Sequence, residues 1–173
     1  MKSKNHENKL STRRYLANLQ GEIDSAALYQ GLAEIEQRPD VSGTYLRLAE
    51  IEHHHAEFWR KRLLALGREI PEMHSRWRTH ALVWLARRFG AGLILPIPTS
   101  LELGGSGYYD EQPEAAAGGL PAAERSHARL IEAIASPVPT LSIAALIRLE
   151  GRHQAGTATA LRCWAPMTGW SRI

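Results

Sequence analysis

The stretch Leu48-Ala-Glu-Ile-Glu-His-His-His-Ala-Glu-Phe-Trp59 carries the densest metal-ligating chemistry in the chain. Two Glu-x-x-His pairs overlap in it, Glu50/His53 and Glu52/His55. Residues three apart on a helix share a face, so either pair can offer a carboxylate and an imidazole to one metal ion. The register separates the two pairs. The stripe through Glu52 runs Tyr45, Leu48, Glu52, His55, Trp59, Leu66 and is apolar apart from the pair itself. The stripe through Glu50 runs Leu46, Glu50, His53, Glu57, Arg60 and reads as solvated. A carboxylate and an imidazole in an apolar seam are costly unless paired or metal-bound. Glu52 and His55 are therefore the candidate ligands, and His53 and His54 are read as surface residues.

Three more helical seams place acids in the same way. Leu19, Glu22, Ala26, Tyr29, Ala33 forms one, and Pro98, Glu102, Gly105, Tyr109 forms another. Leu120, Glu124, His127, Ile131, Ile134 forms the third and holds a second Glu-x-x-His pair. The chain order is thus Glu, Glu-x-x-His, Glu, Glu-x-x-His. Two helical hairpins with this ligand pattern can pack about a pseudo-twofold axis, an arrangement already known from dimetal carboxylate bundles. Carboxylate and imidazole donors suit iron and manganese, and also zinc. Four carboxylates balance two divalent ions, and ions ~3.5–4 Å apart can share bridging carboxylates. Without metal, four buried acids repel and some keep their protons. The competing reading has these acids and histidines facing solvent or capping neighbours. It requires four independent seams all to mislead.

The elements that must position these residues follow from breakers and caps. A first helix is expected from Ser11, a possible N-cap, to about Gln37. Pro39 ends it, and Asp40 or Ser42 can cap a second helix that runs to about Leu66 and stops at Gly67. The short connection makes the two an antiparallel hairpin. After a loop over 68–75, Arg76 to Phe89 reads as a third helix with Trp77, Trp84, Arg76, Arg78, Arg87 and Arg88. Such a helix can lie on an anionic membrane surface, but the simpler reading is a packing helix with charged ends. Gly90 to Pro98 reads as a kinked connector, with Pro98 opening the next helix. That helix is weakened at Gly104-Gly105-Ser106-Gly107 by ~1 kcal/mol per glycine. Gly118-Gly119 break the chain, and Pro121 starts a helix to about Ala135. Pro137 and Pro139 precede a last helix, Thr140 to Glu150, whose face Leu141, Ala144, Ala145, Arg148, Leu149 can cover the bundle or pair two subunits. The expected organisation is a disordered tail at 1–10, a dimetal-binding bundle over 11–154, and a poorly ordered tail at 155–173.

The 173 residues suffice for one domain with a core. Apolar residues are 44% and charged residues 23%, ordinary values for a globular protein. A net charge of +3 is too small to argue for nucleic acid. The lone cysteine, Cys163, rules out an internal disulfide framework and fits a reducing compartment. No signal peptide is visible, and no apolar run reaches the ~20 residues needed to span a bilayer. The expected location is cytoplasmic, at most peripheral to a membrane.

Several segments resemble the ferritin-like superfamily, on the rubrerythrin side. They look most like the ferritin-like domain that precedes the membrane part of bacterial vacuolar-iron-transporter-family proteins, the membrane-bound ferritin type. The segments are Glu22-Ile-Asp-Ser-Ala-Ala-Leu-Tyr29, Leu48 to Trp59, Tyr109-Asp-Glu-Gln-Pro-Glu-Ala115, Leu120-Pro-Ala-Ala-Glu-Arg-Ser-His-Ala-Arg129 and Leu149-Glu-Gly-Arg-His153. The resemblance implies an all-α, ferritin-like antiparallel four-helix bundle with additional short helices. It also implies a site for two iron ions with Glu22, Glu52, His55, Glu102, Glu124 and His127 as ligands. Two departures stand out. In the family, Leu-Glu-Gly-Arg-His leads into the first transmembrane helix, whereas the tail here is unlike such a helix, so the soluble domain alone is expected and transport is not carried over. The Gly-rich run after Glu102 is unlike a robust helix and leaves Glu111 and Glu114 as substitutes for that ligand.

These observations lead to an expected iron-handling protein that oxidises Fe(II) with dioxygen or peroxide, with manganese or zinc as alternative metals. Glu52 and Glu124 would bridge or chelate, His55 and His127 would each complete one ion, and Glu22 and Glu102 would be terminal ligands. The catalytic set is then Glu22, Glu52, His55, Glu124 and His127. Tyr29 and Tyr109 lie near the ligands and are read as core residues. Cys-x-x-Cys pairs of the rubredoxin type are absent, so no internal electron relay is expected. Partners would be Fe(II), a small oxidant and a second copy in a homodimer, with a membrane surface or transporter contacted through Arg76–Arg88. The rival readings are a non-catalytic iron or manganese sensor or buffer, and an inactive remnant kept for dimer contacts.

Overall fold

Apolar residues spaced three and four apart produce helices over most of residues 2–135, which are the residues that the computed structural model describes, and no strand forms among them. The helices are α1 Lys2–Ile35, α2 Pro39–Ala65, α3 Trp77–Phe89, α4 Pro96–Asp110, α5 Pro113–Ala117 and α6 Leu120–Ala135, with a 3-10 turn at Ala91–Leu93. The chain is therefore all-α over these residues. α1 continues back to Lys2, through the residues expected as a tail. The expected helix Thr140–Glu150 and the tail at 155–173 lie outside the described residues.

α1 and α2 pack as a helical hairpin. Arg38 holds an extended conformation (φ −86°, ψ 115°), as the residue before a proline must, and Pro39 opens α2. The expected caps Asp40 and Ser42 already lie inside the helix, because the proline sets the first turn ahead of them. Ser42 Oγ instead donates to the Ala33 carbonyl at 2.8 Å, stitching the start of α2 to the end of α1. The far end of α2 closes in a Schellman motif. Gly67 takes φ 67°, its N–H reaches the Leu64 carbonyl at 2.8 Å, and the Arg68 N–H reaches Leu63 at 3.2 Å. Leu19, Ala26, Tyr29 and Leu32 of α1 and Tyr45, Leu48, Ala56, Trp59 and Leu63 of α2 are buried. Each large apolar side chain of this kind contributes about 1.5–3 kcal/mol by leaving water.

α3 lies on α1 through a narrow seam, with Thr79 and Ala86 buried. Gly31 makes room for it, since a Cβ there would stand 2.5 Å from Val83 Cγ2. Asp24 accepts from the Arg76 backbone N–H at 2.7 Å and from its guanidinium at 2.6 Å. Glu34 pairs with Arg87 at the other end.

α4 begins at Pro96, ahead of the expected Pro98, and passes unbroken through Gly104 to Gly107. Tertiary contacts offset the poor propensity. Ser106 is buried and accepts from Arg125 at 2.7 Å, and Arg125 also pairs with Asp110 at 3.0 Å. α6 packs along α4 and touches α2. At the α4–α5 junction, buried Asn18 of α1 donates to the Gln112 side chain at 2.9 Å. No helix among the described residues is long and apolar enough to cross a membrane.

Candidate metal centre

Four carboxylates and two imidazoles meet where α1, α2, α4 and α6 come together. Glu22 is 3% exposed, Glu52 1%, Glu102 3%, Glu124 5% and His127 2%, so water cannot solvate their charges. His55 is only slightly more open, at 11% of its side chain. The structure thus brings together all six residues that the seams single out. Glu50, His53 and His54 are exposed, as the register argument requires. Glu102 takes the fourth carboxylate position. Its possible substitutes lie elsewhere: Glu111 is exposed and Glu114 pairs with Arg14.

The six residues form two overlapping groups. Glu22, Glu52, His55 and Glu124 make one, and Glu52, Glu102, Glu124 and His127 make the other, with one ligand atom per residue all within 4.8 Å of one another. Glu52 and Glu124 belong to both. His55 Nδ1 sits 3.7 Å from Glu22 Oε2, 3.5 Å from Glu52 Oε2 and 3.5 Å from Glu124 Oε1. His127 Nδ1 sits 3.5 Å from Glu102 Oε2. It also lies 2.9 Å from Glu52 Oε1, but without hydrogen-bonding geometry, and both atoms remain unpartnered. The two imidazoles face each other with centroids 5.9 Å apart.

These donors fit a metal ion. Buried polar atoms normally find hydrogen-bond partners. Here both oxygens of Glu52, one oxygen each of Glu102 and Glu124, and Nδ1 of both histidines have none. Nitrogen and oxygen ligands about 2.1 Å from a common ion stand roughly 3–3.5 Å from each other, close to the spacings around His55 and His127. A set of carboxylates and imidazoles without thiolates suits iron, manganese or zinc. The buried Glu/His groups can therefore hold metal.

A second set of residues, legible only in part from the sequence, fixes the ligands. The Tyr109 hydroxyl donates to Glu22 Oε1 at 2.5 Å, and the Trp59 indole N–H donates to the same oxygen at 3.2 Å. The Tyr29 hydroxyl donates to Glu102 Oε1. The pattern is reciprocal. Each tyrosine lies seven residues after the glutamate of its own helix and bonds the glutamate of the other, which sets α1 and α4 antiparallel. Tyr29 and Tyr109 are core residues, as expected, and they bond the carboxylates as well. The equal Glu-to-Tyr spacing in two seams carries this role in the sequence, whereas nothing in the sequence marks the bond from Trp59. Gly105 faces the site from α4, where a Cβ would stand 3.5 Å from Glu124 Oε2.

The electrostatics are those of a cluster that needs positive charge. Burial, reinforced by the charge of Glu52, pushes Glu22 up to about 7 even though His55 opposes the shift. Burial and the neighbouring carboxylates of Glu102 and Glu52 push Glu124 up to about 9, although His55 opposes the shift. Burial disfavours the Glu52 carboxylate too, but His127 and His55 outweigh it and hold its pKa below the usual range. Burial likewise disfavours the charged imidazoles, yet Glu52 and Glu102 raise His127 to about 10, and Glu124, Glu22 and Glu52 raise His55. Burial, then the charges of Glu22 and Glu102 respectively, keep the phenols of Tyr109 and Tyr29 protonated as donors. Metal-free, the site thus stores protons that a divalent ion must displace.

Comparison of the chain with protein families, curated proteins and solved structures finds no match.

Proposed function

We propose that this chain is a ferritin-like four-helix bundle that binds two iron ions between α1, α2, α4 and α6 and oxidises Fe(II) with dioxygen or peroxide. The observation that carries the reading is the pair of ligand groups sharing Glu52 and Glu124. Two groups that share two carboxylates would suit two ions, with Glu52 and Glu124 offered to both. Glu22 and His55 would complete the donor set of one, and Glu102 and His127 that of the other. The order Glu, Glu-x-x-His, Glu, Glu-x-x-His and the reciprocal tyrosine bonds support the pseudo-twofold arrangement of such bundles.

Bound iron would supply one-electron redox chemistry toward a small oxidant. The chain's own residues do the rest. His55 and His127 give up their protons to become ligands. Tyr109 and Trp59 hold Glu22, and Tyr29 holds Glu102, so that each terminal carboxylate keeps one oxygen for the ion. Burial of Glu22, Glu52, Glu102, Glu124 and His127 keeps bulk water off them, and His55 is 11% exposed.

Anaerobic titration with Fe(II), followed by oxygen or peroxide, tests the reading. Two ions per chain and a ferric absorbance rising in the near ultraviolet are expected. Fewer than two ions would remove the dimetal site. Two ions bound without oxidation would make the protein an iron-binding sensor or buffer instead.

A further inference from the structure

α3 presents a surface of unusual composition. From Met73 to Leu101 the chain contains no aspartate or glutamate, while Arg76, Arg78, Arg87 and Arg88 all fall within it. Two of these guanidiniums are neutralised from α1, Arg76 by Asp24 and Arg87 by Glu34. Arg78 and Arg88 have no carboxylate partner among the described residues. They lie over aromatic rings, Arg78 at 5.8 Å from the Trp77 centroid and Arg88 at 5.3 Å from that of Phe89.

The rings themselves stand in solvent. Trp77 is 73% exposed, Trp84 60%, Phe89 59% and Leu93, in the following turn, 61%. Thr79, Val83 and Ala86 take the side of α3 that meets α1, so the stripe Trp77, Ala81, Trp84, Arg88 points the other way. Phe89 meets the edge of Trp84 at 6.5 Å. Single exposed apolar residues need no explanation. Three exposed aromatics on one helix do, when the arginines among them lack a carboxylate partner and the segment holds no acid.

Indole rings favour the zone where apolar chains meet water, and guanidiniums favour anionic headgroups. A second copy meeting this face about a twofold axis would set Arg78 and Arg88 against another acid-free face, with repulsion and no compensating carboxylate. We propose that the outer face of α3 docks the protein onto an anionic lipid surface, with Trp77, Trp84 and Phe89 entering the headgroup region and Arg78 and Arg88 meeting lipid phosphates. The inference does not depend on the metal site.

Flotation of the full chain with vesicles tests it. The protein should float with phosphatidylcholine–phosphatidylglycerol vesicles, should float poorly with phosphatidylcholine alone, and should be released by salt. The variants Trp77→Ala/Trp84→Ala and Arg78→Glu/Arg88→Glu should each weaken partitioning about tenfold or more. Arg13→Glu/Arg47→Glu, the same charge change at exposed positions on α1 and α2, should have a much smaller effect. Circular dichroism and metal content should be unchanged in all variants. The proposal is overturned if the wild type does not float, or if the α3 variants float like it. Concentration-dependent self-association that Trp77→Ala/Trp84→Ala abolishes, without lipid binding, would assign the face to a second copy.

Discussion

At the residue scale, the shared carboxylates and the private ones should behave differently. Glu52→Ala or Glu124→Ala touches both ligand groups and should abolish binding of both ions. Glu22→Ala and Glu102→Ala each touch one group and should leave about one ion per chain, read by Fe(II) or Zn(II) titration. Glu50→Ala and His53→Ala should leave the stoichiometry unchanged, because both residues are exposed. Equal loss from the exposed and the buried pair would overturn the register argument. The supporting hydroxyls form a separate test. Tyr109→Phe removes one of two donors to Glu22 Oε1 and leaves the Trp59 indole in place. A bond from a hydroxyl to a buried acid is worth about 1–3 kcal/mol, so the denaturation midpoint should fall accordingly. Metal should still bind, with reduced affinity. Unchanged stability in both metal-free and loaded forms would mean that the hydroxyl does not hold Glu22.

At the element scale, the glycines of α1 and α4 have opposite meanings. Gly31 sits where α3 approaches α1, and an added Cβ would stand 2.5 Å from Val83 Cγ2 and 2.7 Å from Cγ1. Gly31→Ala should therefore destabilise the protein by about 1–3 kcal/mol through overpacking, and should loosen α3 specifically. Gly104 lies inside α4 with nothing within 4 Å of its added Cβ. Gly104→Ala should stabilise by about 0.5–1 kcal/mol, because it lowers the entropy of the unfolded chain without a clash. Urea midpoints of the two variants should move in opposite directions, and a shift of the same sign in both would contradict the packing described for α3. α4 also shows why a Gly-rich segment is hard to read. Its propensity argues against a helix. Glu102 and Tyr109 tie it to α1, and Ser106 and Asp110 tie it to Arg125 of α6, and these long-range contacts were not available to a local reading.

At the scale of the whole molecule, the proton-storing cluster sets the pH profile of the metal-free protein. Glu22 is raised from 4.5 to about 7, Glu124 from 4.5 to about 9 and His127 from 6.5 to about 10. A group with a raised folded-state pKa stabilises fully below its unfolded value, and that contribution is lost as the pH rises through the folded one. Glu52 is lowered, so its contribution is present above its unfolded value and is lost on acidification. Metal-free stability should then be greatest near about pH 4–5, where the loss of the Glu52 contribution on one side meets the loss of the Glu22 and Glu124 contributions on the other, and should fall toward about pH 9. Bound metal removes the need for those protons, so affinity should rise over the same interval and the melting temperature of the loaded protein should hold. Calorimetry in chelator and with excess Mn(II) reads both profiles. A flat metal-free profile across this range would show that the cluster takes up no protons.

The sequence by itself determined the helical class, the seams and the residues on them, because a helix repeats every 3.6 residues and that repeat alone puts Glu52 and His55 on the apolar side and Glu50 and His53 on the wet one. It also marked the α1–α2 break at Pro39 and the stop at Gly67, where backbone stereochemistry is local. Tertiary structure decided which seams face one another. Periodicity places a carboxylate on a face but does not say what that face meets. Only packing shows that Glu52 and Glu124 belong to both ligand groups, that Glu102 rather than Glu111 or Glu114 completes the cluster, and that Trp59 and the two tyrosines hold carboxylates on helices other than their own. Packing likewise leaves Trp77 and Trp84 in solvent. The sequence allowed α3 to be read as a packing helix, but its inward face is only Thr79, Val83 and Ala86 wide.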